Sequence, residues 1–238
     1  MHASRATRVA ASALLMLLSS RHLPAQDDFE RPPIEYSISQ PNNLVSRFQE
    51  QLDRGETSLT FDDAHGYLAS VLAALDVPIE SQVLVFSKTS LQTKYISPHT
   101  PRAIYFNDDL YVGYCQSGDV MEVSVADPQL GAVFYTLNQR SPELPPRFER
   151  QTDNCLVCHG SSRTDNIPGH VVRSLAVDSS GFPLLSMGSR TVDHTTPFDQ
   201  RWGGWYVTGT HGEQTHLGNR ISTEGETQPL ADPAGQNL

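Results

Sequence analysis

The chain has only three cysteines, two tryptophans and four methionines in 238 residues. Three cysteines cannot build the multi-disulfide framework of a small secreted scaffold. Basic charge is also scarce: 17 Lys and Arg stand against 27 Asp and Glu, a net charge of −10 with His neutral. That balance argues against a nucleic-acid partner, because such binding depends on basic residues neutralising phosphates. It argues equally against attraction to an anionic membrane surface. Internal repeats are absent, and the one long apolar run, residues 9–18 (VAASALLMLL), is too short to span a bilayer.

That short run has a second meaning. Arg5 and Arg8 precede it, and Leu23-Pro24-Ala25 places a small residue at a cleavage position. Residues 1–25 therefore read as a secretory signal peptide, with a mature chain that starts near Gln26 and is periplasmic or otherwise exported. No cysteine follows the apolar run, so a lipid anchor is not indicated, and no membrane span remains after cleavage. Removing Arg5, Arg8 and Arg21 leaves 14 basic against 27 acidic side chains, a net of −13. A strongly acidic protein steers a partner with a basic docking patch, although acidity also serves solubility.

Two of the three cysteines lie in Cys155-Leu156-Val157-Cys158-His159. Cysteines three positions apart and followed directly by His are expected by chance on the order of 0.001 times in a chain of this composition. Cys-x-x-Cys-His is the attachment signature of haem c. Two thiols on one helical turn can each add to a vinyl group of the same porphyrin, and the adjacent imidazole then lies under the iron. Zinc is an alternative, but it takes four ligands and only Cys115 remains as a thiol. A thioredoxin-like redox pair is another, but it has no need of the His. Cys115, in the strand-like 111–115 (YVGYC), reads as a small buried apolar residue.

Over these residues the chain resembles the c-type cytochromes. The resemblance implies one covalent haem c per chain, with Cys155 and Cys158 as attachment points and His159 as proximal iron ligand. It also implies attachment outside the cytoplasm, which agrees with the signal peptide. It does not extend to the fold. Small c-type cytochromes are all-helical with the motif near the start, whereas about 130 mature residues precede it here. In those proteins a Pro about a dozen residues past the ligand offers its carbonyl to the ligand's other ring nitrogen, and Pro168 resembles it in position, though in the order Pro-Gly instead of Gly-Pro. Arg163 and Arg173 are candidates to pair with propionates.

The pattern along the chain predicts an α+β domain over residues 43–222, an antiparallel meander with a few helices, the haem motif lying on a short helix in the second half. Residues 26–42, rich in Pro and polar side chains, read as an extended linker, and residues 223–238 as a flexible tail. Asn43 caps a first helix with Leu44, Phe48 and Leu52 on one face, ended by Gly55. A second helix is expected over about 63–76. Strands are expected at 83–86, 103–106, 110–115, 120–125 and 132–137, then a hairpin of 171–177 with 182–187, then 204–208. Residues 148–159 are expected to form the helix that carries the motif.

The sixth iron position separates the functional readings. His211 ranks first, because the aromatic stretch 202–206 (WGGWY) leads into it; His194, His216, His170 and Met187 are the alternatives. Met187 also reads as a core residue of an ordinary strand. With both axial positions closed, the protein is an electron carrier with a redox partner protein. With an open or displaceable distal site, it is a haem enzyme of peroxidase-like or nitrogen-oxide chemistry. A haem-based gas or redox sensor ranks below both, since no output domain is apparent. The export reading predicts that the chain recovered from a secretion-competent host begins near Gln26. N-terminal sequencing checks this, and a chain that keeps residues 1–25 removes the export assignment.

Overall fold

The computed structural model describes residues 28–140 and 142–223, so the segment 1–25 expected to be a signal peptide and nearly all of the expected tail, 223–238, lie outside the described residues. The fold is α+β, with an antiparallel meander at its centre, as the alternation predicts. Strands β1 (Val83–Val85), β2 (Arg102–Phe106), β3 (Leu110–Tyr114), β4 (Val120–Asp127), β5 (Gly131–Asn138) and β6 (Phe148–Gln151) pair in sequence order. A later strand, β9 (Trp205–Tyr206), closes the edge beside β1, giving a seven-stranded sheet. β7 (Val172–Leu175) and β8 (Ser189–Val192) form a separate hairpin. Among the described residues no helix is long and apolar enough to cross a membrane.

Turn chemistry sets the register. Asn107 Oδ1 accepts the N–H groups of Asp109 and Leu110 at 3.0 Å each and so closes the β2–β3 turn. Asp127 Oδ1 does the same for Gln129 and Leu130 at 3.0 and 3.1 Å before β5. Because side chains alternate across a strand, Val112, Met121, Val123, Val125, Tyr135 and Leu137 all face one side and are buried. Helices α1 (Leu44–Asp53) and α2 (Leu68–Ala74) pack on that side through Val45, Phe48, Leu68, Val71 and Leu72. Each fully buried aliphatic side chain of this kind stabilises the fold by about 1.5–3 kcal/mol. The opposite side carries Arg102, Phe106, Tyr111, Gly113, Glu122, Ser124, Phe134 and Thr136, and it forms the floor of the site described below.

Four expectations are corrected. Residues 148–151 are not helical: Phe148–Gln151 pairs with β5, and the Phe148 N–H donates to Gln49 Oε1 at 2.7 Å. The motif helix, α3, is only Leu156–His159. The partner of β7 is Ser189–Val192 and not 182–187, of which Leu185–Met187 is a 3-10 turn. Helix α2 is shorter than 63–76, because Asp62 Oδ1 accepts the N–H groups of Ala64 and His65 and holds a loop closed by the Asp62–Gly66 bridge. Residues 28–42 are not an extended linker either. They make a 3-10 turn at Asp28–Glu30 and bury Phe29 and Tyr36 in the main core.

Asn43 joins helix to sheet as well as capping α1. Its Oδ1 accepts Ser46 N–H at 3.0 Å, and Ser46 Oγ in return accepts Asn43 N–H at 3.0 Å, a reciprocal capping box. Its Nδ2 donates to Asp127 Oδ2 and to the Tyr135 hydroxyl, both at 3.2 Å, and the residue is 2% exposed. Asn43→Ala therefore removes a cap and leaves the buried Tyr135 hydroxyl without its partner, while Asp127 Oδ2 keeps the Asn42 N–H at 2.7 Å, at a cost of about 2 kcal/mol. Urea denaturation should show a lower midpoint with an unchanged slope. A midpoint equal to that of the unsubstituted chain would contradict this role.

Candidate functional site

The chain leaves β6 at Gln151 and turns through Asp153, whose carbonyl accepts Leu156 N–H at 2.9 Å. One turn of helix follows, with His159 N–H donating to the Cys155 carbonyl at 3.0 Å. Leu156, 4% exposed, anchors this turn in the main core, while Val157 on the far side is 75% exposed. The anchor fixes the rotation of the turn. Cys155 is half-buried, Cys158 is exposed, and the two thiols are not bonded to each other. Burial, with Glu122, Asp153 and Cys158 adding to it, pushes the Cys155 thiol up to about 12. A dithiol redox centre draws on a lowered first thiol, which the surroundings of Cys155 oppose. Among the described residues, no group of three or more His, Cys, Asp or Glu side chains converges as a metal site. The zinc alternative therefore has no donor set.

His159 is held in one tautomer. Its Nδ1 lies 2.9 Å from the Gly169 carbonyl, which can only accept, so Nδ1 carries the proton. Burial pulls the imidazole below its ordinary value, with the Gly169 hydrogen bond opposing. The ring is neutral at neutral pH, and its Nε2 has no hydrogen-bond partner among the described residues. This is the arrangement of an iron-ligating imidazole: one nitrogen oriented by a backbone carbonyl, the other with a free lone pair. The acceptor is Gly169 and not Pro168. The Pro168 carbonyl instead accepts Ala132 N–H from the sheet at 2.8 Å.

The acceptor is itself strapped down on both sides. Pro168 is tied to Ala132, and His170 Nε2 lies 2.6 Å from Ser124 Oγ. Gly169 N–H also donates to the His159 carbonyl at 2.8 Å. The strap needs Gly131: its φ is +76°, and a Cβ there would stand 2.3 Å from the Pro168 oxygen. Phe134 closes the floor, its ring centroid 4.6 Å from that of His159.

Charges surround the motif. Arg102 Nη1 and Glu122 Oε2 pair at 2.7 Å on the sheet floor, within electrostatic reach of His159. Arg102 Nε is buried without a partner. On the other side, burial and then the neighbouring Arg163 hold the Arg173 guanidinium below its ordinary value, while Cys158 opposes. Arg173 donates to Ser189 Oγ, and among the described residues neither Arg163 nor Arg173 has a carboxylate within 4.0 Å. Arg163, which is exposed, and Arg173, which is half-buried, thus stand near one another on the Cys158 side as two cations open to anionic groups.

The proposed sixth ligands separate in space. His170 lies beside His159, close enough for the charge of one to depress the other. His211 stacks edge-on against His216 at 4.5 Å, and its Nδ1 lies 2.7 Å from the Gln214 carbonyl. His216 is fully buried and its Nδ1 accepts Gly218 N–H at 3.0 Å. His194 is exposed, and its carbonyl accepts Arg201 Nη2. Met187 is half-buried in a 3-10 turn and not in a strand. The aromatic stretch does reach the site, since Trp205 Nε1 donates to the Arg173 carbonyl at 2.8 Å. Cys115 is buried at 2% exposure, and burial pushes its thiol up to about 12.

Sequence reasoning missed the floor: Arg102, Tyr111, Glu122, Ser124 and Phe134 lie 25 to 57 residues upstream of His159. A signal was present. Glu122 and Ser124 alternate with Met121, Val123 and Val125, which marks a strand whose second face is polar and facing something other than the core. Comparison with protein-family models, with curated proteins and with solved structures finds no match to this chain. The site is therefore read from its own residues.

His170 makes the electrostatics testable. Burial, then His159, pushes it down to about 4 from an ordinary 6.5. The unfolded chain binds this proton first, so the contribution to stability is fully present above about 6.5 and is lost as pH falls towards about 4. Urea midpoints should fall from pH 7 to pH 5, and His170→Gln should flatten part of that decline. Equal slopes in the two proteins would contradict a His170 that the sheet floor and His159 keep neutral while part of the residue stays open to solvent.

Proposed function

We propose that this chain is an exported monohaem c-type cytochrome acting in electron transfer. The haem would be bound through thioethers to Cys155 and Cys158, with His159 as proximal iron ligand. The observation that carries the reading is the 2.9 Å hydrogen bond from His159 Nδ1 to the Gly169 carbonyl, made by the His that follows two thiols on one helical turn. It leaves Nε2 deprotonated and fixed in direction. Arg163 and Arg173 fit the propionates, because their charges lie near Cys158 and among the described residues neither has a carboxylate within 4.0 Å. Phe134 and the Trp205 side fit the apolar walls such a group needs.

When bound, the haem supplies a one-electron Fe(III)/Fe(II) couple. The residues do the rest. The strap at Pro168 and His170 keeps the Gly169 carbonyl, and through it the imidazole, from moving when the charge of the site changes. Little reorganisation of ligands is what a carrier requires. The Arg102–Glu122 pair holds a fixed, half-buried charge array near His159, which sets the electrostatic potential at the site. The acidic surface favours a redox partner with a basic docking patch.

Expression with the haem-attachment machinery of an exporting host tests the reading. Cys155→Ala and Cys158→Ala should each leave one vinyl group unsaturated, shifting the alkaline pyridine spectrum, and the double variant should release its haem into acidified acetone. A chain that never acquires covalent haem removes the proposal. The reduced spectrum with and without CO then decides between carrier and enzyme. A low-spin spectrum unmoved by CO is expected for the carrier, whereas a CO-shifted Soret band would replace it with an open-site haem enzyme.

A further inference from the structure

Five rings form a continuous line across the second face of the sheet. The register places Phe106 opposite Tyr111, Tyr111 opposite Ser124, and Ser124 opposite Phe134, so these residues make one row perpendicular to the strands. At Ser124 the row has a gap, because the side chain is small. His170 descends into that gap, its Nε2 2.6 Å from Ser124 Oγ. The centroid distances run 5.9 Å from Phe106 to Tyr111, 4.7 Å from Tyr111 to His170, 6.4 Å from His170 to Phe134, and 4.6 Å from Phe134 to His159. One end of the line is the proposed iron ligand. The other end is solvent: Phe106 and Tyr111 are 37% and 40% exposed.

The surface around that end has a definite character. Phe106 N–H donates to Ser81 Oγ, which brings up the turn bearing Ile79, 63% exposed, and Glu80. The β2–β3 turn adds Asp108 and Asp109, and Asn107 Nδ2 donates to the Asp76 carbonyl at 3.1 Å, placing that residue alongside. Asp76, Glu80, Asp108 and Asp109 are all exposed, and among the described residues none has a Lys or Arg nitrogen within 4.0 Å. Arg47 shares a hollow with Asp109, but its guanidinium donates to Asn42 Oδ1. The result is an exposed apolar and aromatic patch rimmed by uncompensated carboxylates.

We propose that this Phe106–Tyr111 patch is the docking surface for a one-electron redox protein whose contact face is apolar and rimmed by lysines or arginines. The proposal rests on the functional reading above and gives it a place on the molecule. Charge complementarity selects the partner, because an acid rim accelerates encounter with a basic one and repels an acidic one. The apolar centre supplies the dry contact that a short-lived complex needs. The row of rings gives the reason for this position: electron tunnelling falls steeply with distance through the protein, and successive ring contacts join the patch to His159. One electron leaves the reduced iron and one oxidised partner is reduced, so the exchange balances without any further reactant.

The test uses the protein with its haem attached and a lysine-rimmed small cytochrome c as the oxidant, followed by stopped flow. Covalent haem is verified first by the pyridine spectrum, so its absence would overturn the functional reading before the docking surface is tested. With haem in place, D108K/D109K should lower the second-order rate at low ionic strength about tenfold and flatten its salt dependence. D63K/E143K makes the same change in net charge at the opposite end of the strands, where Tyr67 N–H meets Gln139 after β5. It should slow the reaction far less. Tyr111→Leu, which keeps an apolar side chain, should lower the rate at high salt as well, where steering is screened. Equal slowing by the two charge reversals, or a Tyr111→Leu protein as fast as the unsubstituted one, would overturn the proposal.

Discussion

The hydrogen bond from His159 Nδ1 to the Gly169 carbonyl is the constraint on which the site depends. It determines which nitrogen carries the proton, which nitrogen faces outward, and how the ring is rotated. A loop carbonyl by itself is a poor reference, because loops move. Here the loop has been made part of the sheet. Pro168 accepts from β5, His170 meets the hydroxyl of Ser124 on β4, and Gly131 leaves the space that lets the two backbones approach. The imidazole is thus positioned through one intermediate by the hydrogen-bonded strands β4 and β5.

That arrangement explains why a chain with one attachment motif has so much structure in front of it. The main core lies between α1, α2 and one side of the sheet, and of the motif it takes in only Leu156 and the edge of Cys155. The other side of the same strands supplies Arg102, Glu122, Ser124 and Phe134 to the site. Strand alternation divides the two tasks, with odd-numbered positions of β4 packing the core and even-numbered positions serving the site. The candidate site is carried by a face of the fold and not by the fold class.

The parts legible in the sequence were those fixed by local chemistry. Cys155, Cys158 and His159 stand out because their spacing is rare by chance and puts the two thiols and the imidazole on one helical turn. The meander could be read because β3, β4 and β5 alternate strictly and are punctuated by Asn107 and Asp127, whose side chains close their own turns. Residues 148–151 failed because Phe-Glu-Arg-Gln suits a helix locally; what makes it a strand is the free edge of β5, a tertiary fact. β8 failed because Ser189–Val192 lies mostly exposed and has no apolar alternation to detect, whereas 182–187 looked apolar and yet leaves Phe182 and Leu185 exposed. The floor of the site needed the register itself, since nothing in the order of residues says that Ser124, Phe134 and Tyr111 stand in one row.

The row also bears on the choice of a second axial ligand. His211 was attractive because an aromatic stretch runs into it, yet in space it is engaged with His216 and with the Gln214 carbonyl. His170 was one alternative among several, distinguished by nothing in its neighbours along the chain. It acquires its position from two independent constraints: it follows the glycine that orients His159, and it fills the only small side chain in a row otherwise occupied by rings. A residue held by both constraints cannot move without disturbing the Gly169 carbonyl that orients His159 at one end or the Tyr111 contact at the other. Ligand orientation and the surface patch are thereby coupled through a single side chain, which is why the sheet register, and not the motif alone, determines what this site can do.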